Sequence, residues 1–169
     1  MAIAKYTALA SVTLTSPQLT ISFGNIPSEY RDLRLVMCAT NATTATATDG
    51  YFRLNSDSGA YYNRVKLNGS GSTATSASNS SDTQIYYDLW STSSPVLLTL
   101  DILDYSQTDK HKSMLLRGTD ANSGVYLMAA RYAQTTAINS ITFYCTDQMG
   151  GGTPDSFAIG STFTLYGVK

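Results

Sequence analysis

The residues in this chain best suited to chemistry are a few carboxylates. Hydrolysis of a glycosidic bond needs two carboxyl groups at a defined separation, and Asp88, Asp101 and Asp104 lie close enough in sequence to be considered. Asp101 and Asp104, however, border the end of an apolar run, where carboxylates commonly face solvent or accept hydrogen bonds from turns. Glu29 is the only glutamate in the sequence. The pattern therefore favours structural roles over an acid–base pair.

Sequence patterns for nucleophilic, metal and phosphate chemistry are also missing. The single histidine, His111, lies between Lys110 and Lys112 in a predicted hydrophilic turn, and the serine-nucleophile pattern G-x-S-x-G does not occur. The sequence has neither clustered Cys and His for zinc nor a carboxylate loop for calcium. The glycines at 150–152 lack the lysine of a phosphate-binding loop and are interpreted as a flexible hairpin. We therefore predict a protein that is not an enzyme and has no catalytic residues, metal site or cofactor.

Composition argues against two kinds of partner. The net charge is -1 and charged residues make up only 14% of the chain, so no basic surface for nucleic acid or anionic lipid is indicated. The sequence has no run of eighteen apolar residues and no secretory signal at its start. We expect no nucleic-acid partner, no membrane partner and synthesis in a cytoplasm. Cys38 and Cys145 lie far apart in alternating apolar runs, which favours two buried free thiols, with a disulfide left open.

A period-two alternation of β-branched and aromatic residues dominates the chain and indicates half-buried strands. The sequence predicts one all-β domain over residues 1–169, an antiparallel β-sandwich of jelly-roll type with about nine or ten short strands. Residues 96–103 are almost continuously apolar and are predicted to form a central strand, with Leu98, Leu100 and Ile102 on its inner face. Tracts without large apolar residues predict flexible loops near 40–49, 68–82 and 147–156, and a weak edge strand is the alternative for 40–49.

Two hairpins follow from the order of these runs. The first joins residues 8–14 to residues 19–23 through Pro17, and the second joins residues 51–54 to residues 61–67 through a turn of Asn, Ser, Asp and Gly.

Tyrosine is conspicuous, with twelve copies beside a single tryptophan. In the pairs Tyr61-Tyr62 and Tyr86-Tyr87, neighbouring side chains of a strand must point to opposite faces. Rings that face outward are common at protein interfaces and in stacking on sugars. We predict that Tyr62, Tyr86 and Trp90 form a candidate interaction surface, and the alternative is that these rings fill the core or cover an edge of the sandwich.

Three segments carry a family resemblance: residues 21–35 (ISFGNIPSEYRDLRL), residues 138–143 (INSITF) and the ending at residues 163–168 (FTLYGV). Together with a mid-chain Leu67-Asn68-Gly69 turn, they resemble a family of small structural proteins of tailed bacteriophages, notably those of marine and cyanobacterial hosts. The similarity spans nearly the whole chain, and its motifs encode strands and turns rather than chemistry. The resemblance implies a β-sandwich virion protein with no catalytic residues to transfer.

Within that family the resemblance leaves two positions in the particle open. The first is a capsid decoration (cement) protein that binds the major capsid protein on the outer surface of the head, as a homo-oligomer and by analogy a trimer. The alternative is a tail-associated or fibre-tip module that recognises glycans of the host surface and contacts tail proteins. In both cases the expected location is the virion. A hydrolase of cell-surface polysaccharide is the weakest interpretation, because no acid–base pair is evident.

Overall fold

In the computed structural model, the described residues are 5–42, 48–88, 94–119, 124–147 and 153–169. They form strands and turns and contain no helix. The strands are β1 (Tyr6–Thr13), β2 (Thr20–Phe23), β3 (Asp32–Ala39), β4 (Thr48–Leu54), β5 (Tyr62–Gly69), β6 (Ala74–Asp82), β7 (Ile85–Asp88), β8 (Val96–Leu103), β9 (Lys112–Thr119), β10 (Val125–Tyr132), β11 (Ile141–Asp147), β12 (Thr153–Asp155) and β13 (Thr162–Val168).

The strands pair into two antiparallel sheets. The large sheet has eight strands in the order β1-β13-β3-β8-β9-β10-β5-β6, and the small sheet has the order β12-β11-β4-β7, with β2 also paired to β11. Most connections cross from one sheet to the other, as in a jelly roll. The predicted class, an all-β antiparallel sandwich, is confirmed, although the described residues contain thirteen strands rather than nine or ten.

The core lies between the sheets and is built from alternate residues of their strands. In β8, which lies between β3 and β9, the inner residues Leu98, Leu100 and Ile102 are all inaccessible to solvent, which confirms the predicted central strand and its inner face. Across the interface, the rings of Phe143 in the small sheet and Phe163 in the large sheet have centroids 6.0 Å apart. One hydrophobic cluster therefore supports both sheets.

Both predicted hairpins are wrong. β1 pairs with β13 and β2 pairs with β11, so the two runs around Pro17 lie in different sheets. Likewise, β4 pairs with β7 and β11 in the small sheet, whereas β5 pairs with β6 and β10 in the large sheet. Period-two alternation identifies a strand and its buried face, but pairing partners depend on distant segments that fill the same core.

The predicted loop at 68–82 is a second correction. Residues 68 and 69 end β5, a turn closed by the Ser70 N–H to Thr73 carbonyl hydrogen bond follows, and residues 74–82 form β6 at the edge of the large sheet. Nearly all β6 side chains are exposed. Backbone pairing with β5 gives this polar tract a strand conformation without side-chain burial, and hydrophobicity patterns cannot detect such a strand.

The other two predicted loops are described only in part. Of 40–49, Asn41 is buried in an isolated bridge to Phe157 and residues 48 and 49 begin β4. Of 147–156, residues 153–155 form β12, which pairs with the end of β11. Residues 43–47 and 148–152 lie outside the described residues.

The segments that carry the family resemblance meet in the structure. Tyr30 packs so closely on Gly167 of β13 that a Cβ there would lie 2.4 Å from the ring. Nearby, Arg31 donates its N–H to the carbonyl of Val168 at 2.9 Å. Earlier in the same segment, residues 21–35, Ile26 donates its N–H to the carbonyl of Asn139 at 3.0 Å. These motif residues thus serve packing and strand pairing.

Lys112 departs from the predicted hydrophilic turn. Its side chain is completely buried at the start of β9, while the neighbouring His111 is exposed. The ammonium donates hydrogen bonds to the carbonyls of Lys110 and Thr135, both at 3.0 Å, and to that of Gln107. Removal from water lowers the pKa of Lys112. This lysine joins two loops at one end of the large sheet.

Both cysteines are free thiols in the structure. Cys145 is buried as predicted, and its burial raises the pKa of the thiol. Cys38 is only half-buried, because it lies on the outer side of β3, opposite the inner residues Leu35 and Met37. The prediction of burial is therefore confirmed for Cys145 alone.

Candidate interaction surfaces

Tyr62, the first of the predicted interaction residues, belongs to the core. Its side chain is fully buried, its ring packs 4.9 Å from that of Tyr132, and its hydroxyl donates to the carbonyl of Asp57 at 3.0 Å. Tyr61 is the exposed member of the pair. The assignment of Tyr62 to the outer surface is therefore wrong. The two tyrosines do point to opposite faces, but the predicted inner and outer faces of β5 are exchanged. This strand points its aliphatic residues outward and Lys66 inward.

Tyr86 and Trp90 have different outcomes. Tyr86 is half-buried on the outer side of β7, while its neighbours Ile85 and Tyr87 are completely buried, which confirms the predicted face. Trp90 lies outside the described residues. Of the three predicted residues, Tyr86 is therefore the one that the structure shows on an outer surface.

On the small sheet, Tyr86 belongs to a row of three tyrosines. Tyr144 of β11, Tyr51 of β4 and Tyr86 of β7 are direct cross-strand neighbours. The rings of Tyr51 and Tyr144 are stacked with centroids 5.5 Å apart, and those of Tyr51 and Tyr86 meet edge to face at 5.6 Å. We call these three residues the tyrosine row. Tyr51 and Tyr144 were not singled out from the sequence, because their proximity depends on the pairing of three distant strands.

Polar side chains hold the tyrosine row in place. The Tyr51 hydroxyl donates to Asp49 at 3.0 Å, and that of Tyr144 donates to Gln84 Oε1. The guanidinium of Arg53 lies 5.3 Å from the Tyr144 ring centroid and donates to the same Gln84 oxygen at 2.9 Å. Partial burial raises the pKa of Tyr51 and that of Tyr144, so both phenols remain neutral at physiological pH. The row is therefore a fixed, uncharged aromatic surface.

A depression of about 360 Å³ lies beside the tyrosine row, which we call the polar cleft. Its lining residues are Asp49, Tyr51, Arg64, Asp82, Thr83, Gln84 and Tyr86. Arg64 comes from β5 of the large sheet, and its guanidinium lies 4.9 Å from the centroid of the Tyr86 ring. The cleft thus forms where the edge strand of the small sheet meets the last two strands of the large sheet.

The outer face of the large sheet carries a second surface, which is aliphatic. It comprises Val65, Leu67, Leu115, Val125 and Leu127, which are between 41% and 60% exposed. We call this set the apolar patch. Leu127 lies directly opposite Leu67, and Ala129 links Val65 on one side to Leu115 on the other. The residues therefore form adjoining rows across β9, β10 and β5.

Few charges interrupt the apolar patch. Arg117 is the cross-strand neighbour of Leu127, while Ser76 and Ser78 of β6 lie beside Leu67 and Val65. A groove of about 470 Å³ runs along Val65, Ala129 and Arg131 toward β6. The sequence did carry a signal for this patch, since residues 114–116 and 125–128 are apolar on both faces of their strands.

Two of the three carboxylates considered for catalysis take part in ion pairs. Asp101 forms a bidentate ion pair with Arg34, with Nε–Oδ1 and Nη2–Oδ2 distances of 2.5 and 2.9 Å. Asp104 lies in the turn after β8 and pairs with Lys110 at 3.2 Å. The side chain of Asp88 lies outside the described residues. Within the part of the chain that the structure describes, no group of three or more His, Cys, Asp or Glu is arranged to hold a metal ion.

Comparison with known proteins identifies no family for this chain. No family model matches the chain, and no curated protein matches it. Among solved structures, the galectin LEC-6 of Caenorhabditis elegans is similar over 94% of this chain and 95% of its own, with 11% sequence identity and a TM-score of 0.37. A similarity this low carries no argument about function.

The described residues contain no helix long and apolar enough to cross a membrane.

Proposed function

We propose that this chain is a non-enzymatic structural protein of a bacteriophage particle, which attaches to neighbouring proteins through the apolar patch. The patch is the observation that supports an attachment role, because contiguous exposed aliphatic side chains on a β-sheet mark protein contact surfaces. The setting in a virion comes from the resemblance of three segments to phage structural proteins. We further propose the position of a cement protein on the outer surface of the head, as a homotrimer in contact with the major capsid protein.

The chemistry of the patch predicts how such attachment behaves. Burial of aliphatic area is insensitive to ionic strength, whereas ion pairs between exposed groups weaken as salt increases. Attachment through Leu67, Val125 and Leu127 should therefore persist at high salt.

Reconstitution tests this proposal. Purified protein is mixed with expanded heads that lack it, and bound protein is measured after sedimentation at increasing salt. We expect binding that survives about 1 M salt, where the screening length is only about 3 Å, and that is lost in Leu127→Asp. Ile159→Asp is the matched control, because Ile159 is 64% exposed and lies outside the patch. Salt-sensitive binding, or equal binding by Leu127→Asp and wild type, would contradict attachment through the patch.

A second candidate function, a tail-associated module that recognises host glycans, is favoured by the tyrosine row. Tyrosine rings offer an apolar surface and a polar tip, which suits contact with sugars. Gold-labelled antibody on purified particles separates the two positions. Label over the head supports the cement role, label at the tail end supports the tail module, and unlabelled particles argue against both.

A further inference from the structure

We propose that the polar cleft is a binding site for one ring of a neutral sugar, a pyranose without a charged substituent. This inference names the ligand site of the second candidate function and rests on it for its biological setting. The volume of about 360 Å³ lies at the lower end of the range for small-molecule sites, roughly 300–1,000 Å³. It therefore suits a ligand of one or two rings rather than an extended chain.

The charges of the cleft favour a neutral ligand. Asp49 and Asp82 are its two carboxylates, and Arg64 and the adjacent Lys66 supply two cations near Tyr86. Arg64 Nη2 lies 3.7 Å from Asp82 Oδ2. Because charges of both signs lie at the cleft, an anion or a cation would meet a like charge as well as an opposite one. A hydroxyl group can donate to a carboxylate and accept from a guanidinium.

One acceptor in the cleft has no hydrogen bond. Asp82 Oδ2 is buried and accepts no hydrogen bond, because its 3.7 Å distance from Arg64 Nη2 allows an ion pair but is too long for a hydrogen bond. Buried polar atoms in folded proteins nearly always have a partner. A hydroxyl of a bound sugar would supply that partner through a small movement of the carboxylate.

The walls of the cleft are already in position. Tyr51 is fixed by stacking on Tyr144 and by its hydrogen bond to Asp49. Tyr86 is held by an edge-to-face contact with the ring of Tyr51 and by the guanidinium of Arg64, which lies 4.9 Å from its ring centroid. Aromatic walls accept the apolar C–H groups of a pyranose, and fixed side chains lose little conformational entropy on binding.

Titration of the full chain with methyl glycosides tests the site. The probes are the methyl α-pyranosides of glucose, galactose and mannose, with glucuronic acid and glucosamine as charged analogues, and binding is followed by NMR shifts of assigned tyrosine rings. We expect at least one neutral glycoside to bind more tightly than either charged analogue and to shift Tyr51 and Tyr86. In Tyr86→Ala, the affinity should fall at least about tenfold, or about 1.4 kcal/mol.

Tyr6→Ala is the matched control, because Tyr6 also lies beside another tyrosine and under a guanidinium, on the large sheet. It should bind as wild type does. Asp82→Asn, which keeps the size of the side chain, should weaken binding without loss of fold. The site is wrong if no neutral glycoside binds, if a charged analogue binds more tightly, or if Tyr86→Ala binds normally. Antibody label confined to the head would contradict the tail position alone, so the two failures are distinguishable.

Discussion

On the outer face of the large sheet, aliphatic side chains lie beside one another in rows; on the outer face of the small sheet, tyrosines are held by hydrogen bonds and guanidinium contacts. Leu67 and Leu127 face each other across β5 and β10, whereas Tyr51 contacts a ring on each side and a carboxylate. Both faces lie over the same core. The same period-two alternation thus produced two surfaces of different chemistry.

The two faces should recognise different kinds of partner. Aliphatic rows gain free energy from any complementary apolar area and specify little direction. A tyrosine surface with fixed carboxylate, amide and guanidinium groups specifies hydrogen-bond directions and favours a small polar ligand. We therefore assign protein attachment to the large sheet and ligand recognition to the small sheet, as separate proposals.

The largest effect is expected from the core that both faces share. Leu100→Ala removes a fully buried side chain from β8 and should lower the free energy of unfolding by about 2 to 5 kcal/mol. Urea denaturation measures this loss. Leu103→Ala on the same strand is the control, because Leu103 is 46% exposed and should cost about 0.5 kcal/mol or less. Equal costs for the two variants would mean that the register of β8 is wrong.

Alkaline pH should destabilise the fold through its buried tyrosines. Burial raises the pKa of Tyr62 from 10.0 to about 12. A group whose pKa is higher in the folded state stabilises the protein below its unfolded pKa, and this contribution is lost as pH rises through the folded value. Tyr62 alone should contribute a loss of about 2 kcal/mol between pH 10 and pH 12. Tyr87, which is completely buried, acts in the same direction.

Denaturation at several pH values, with ultraviolet absorbance to follow phenol ionisation, measures this loss. Lys112 contributes to stability with the opposite sign, because its lowered pKa makes the protein more stable as the pH approaches 10.5. The loss of unfolding free energy that the tyrosines cause should therefore be measured above pH 10.5. Tyr62→Phe should make the fall shallower, whereas Tyr61→Phe, at an exposed position, should leave it unchanged. A stability that stays flat to pH 12 would contradict the burial of these rings.

The sequence predicts some features of this molecule and not others. The class of fold and the inner face of β8 followed from alternation, because a strand with one buried face has a local pattern. The pairing of β4 with β11 and the existence of β6 did not follow, because they depend on distant partners and on backbone hydrogen bonds. Tyr86 was predicted to face outward and does, but Tyr62 was not separable from Tyr61 by pattern alone.

The smallest effect on stability is expected within the apolar patch, and it sharpens the contrast between the two faces. Leu127→Ser removes exposed aliphatic area, so the free energy of unfolding should change by no more than about 0.5 kcal/mol. Tyr144→Ser on the other face should cost more, about 1 to 2 kcal/mol, because it removes ring packing on Tyr51 and a hydrogen bond to Gln84. Leu127→Ser should also bind less of a dye that fluoresces on apolar surfaces, and Tyr144→Ser should not. If Leu127→Ser instead lowered the free energy of unfolding as much as Tyr144→Ser, Leu127 would be part of the packed structure. The outer face of the large sheet would then not be available as an attachment surface.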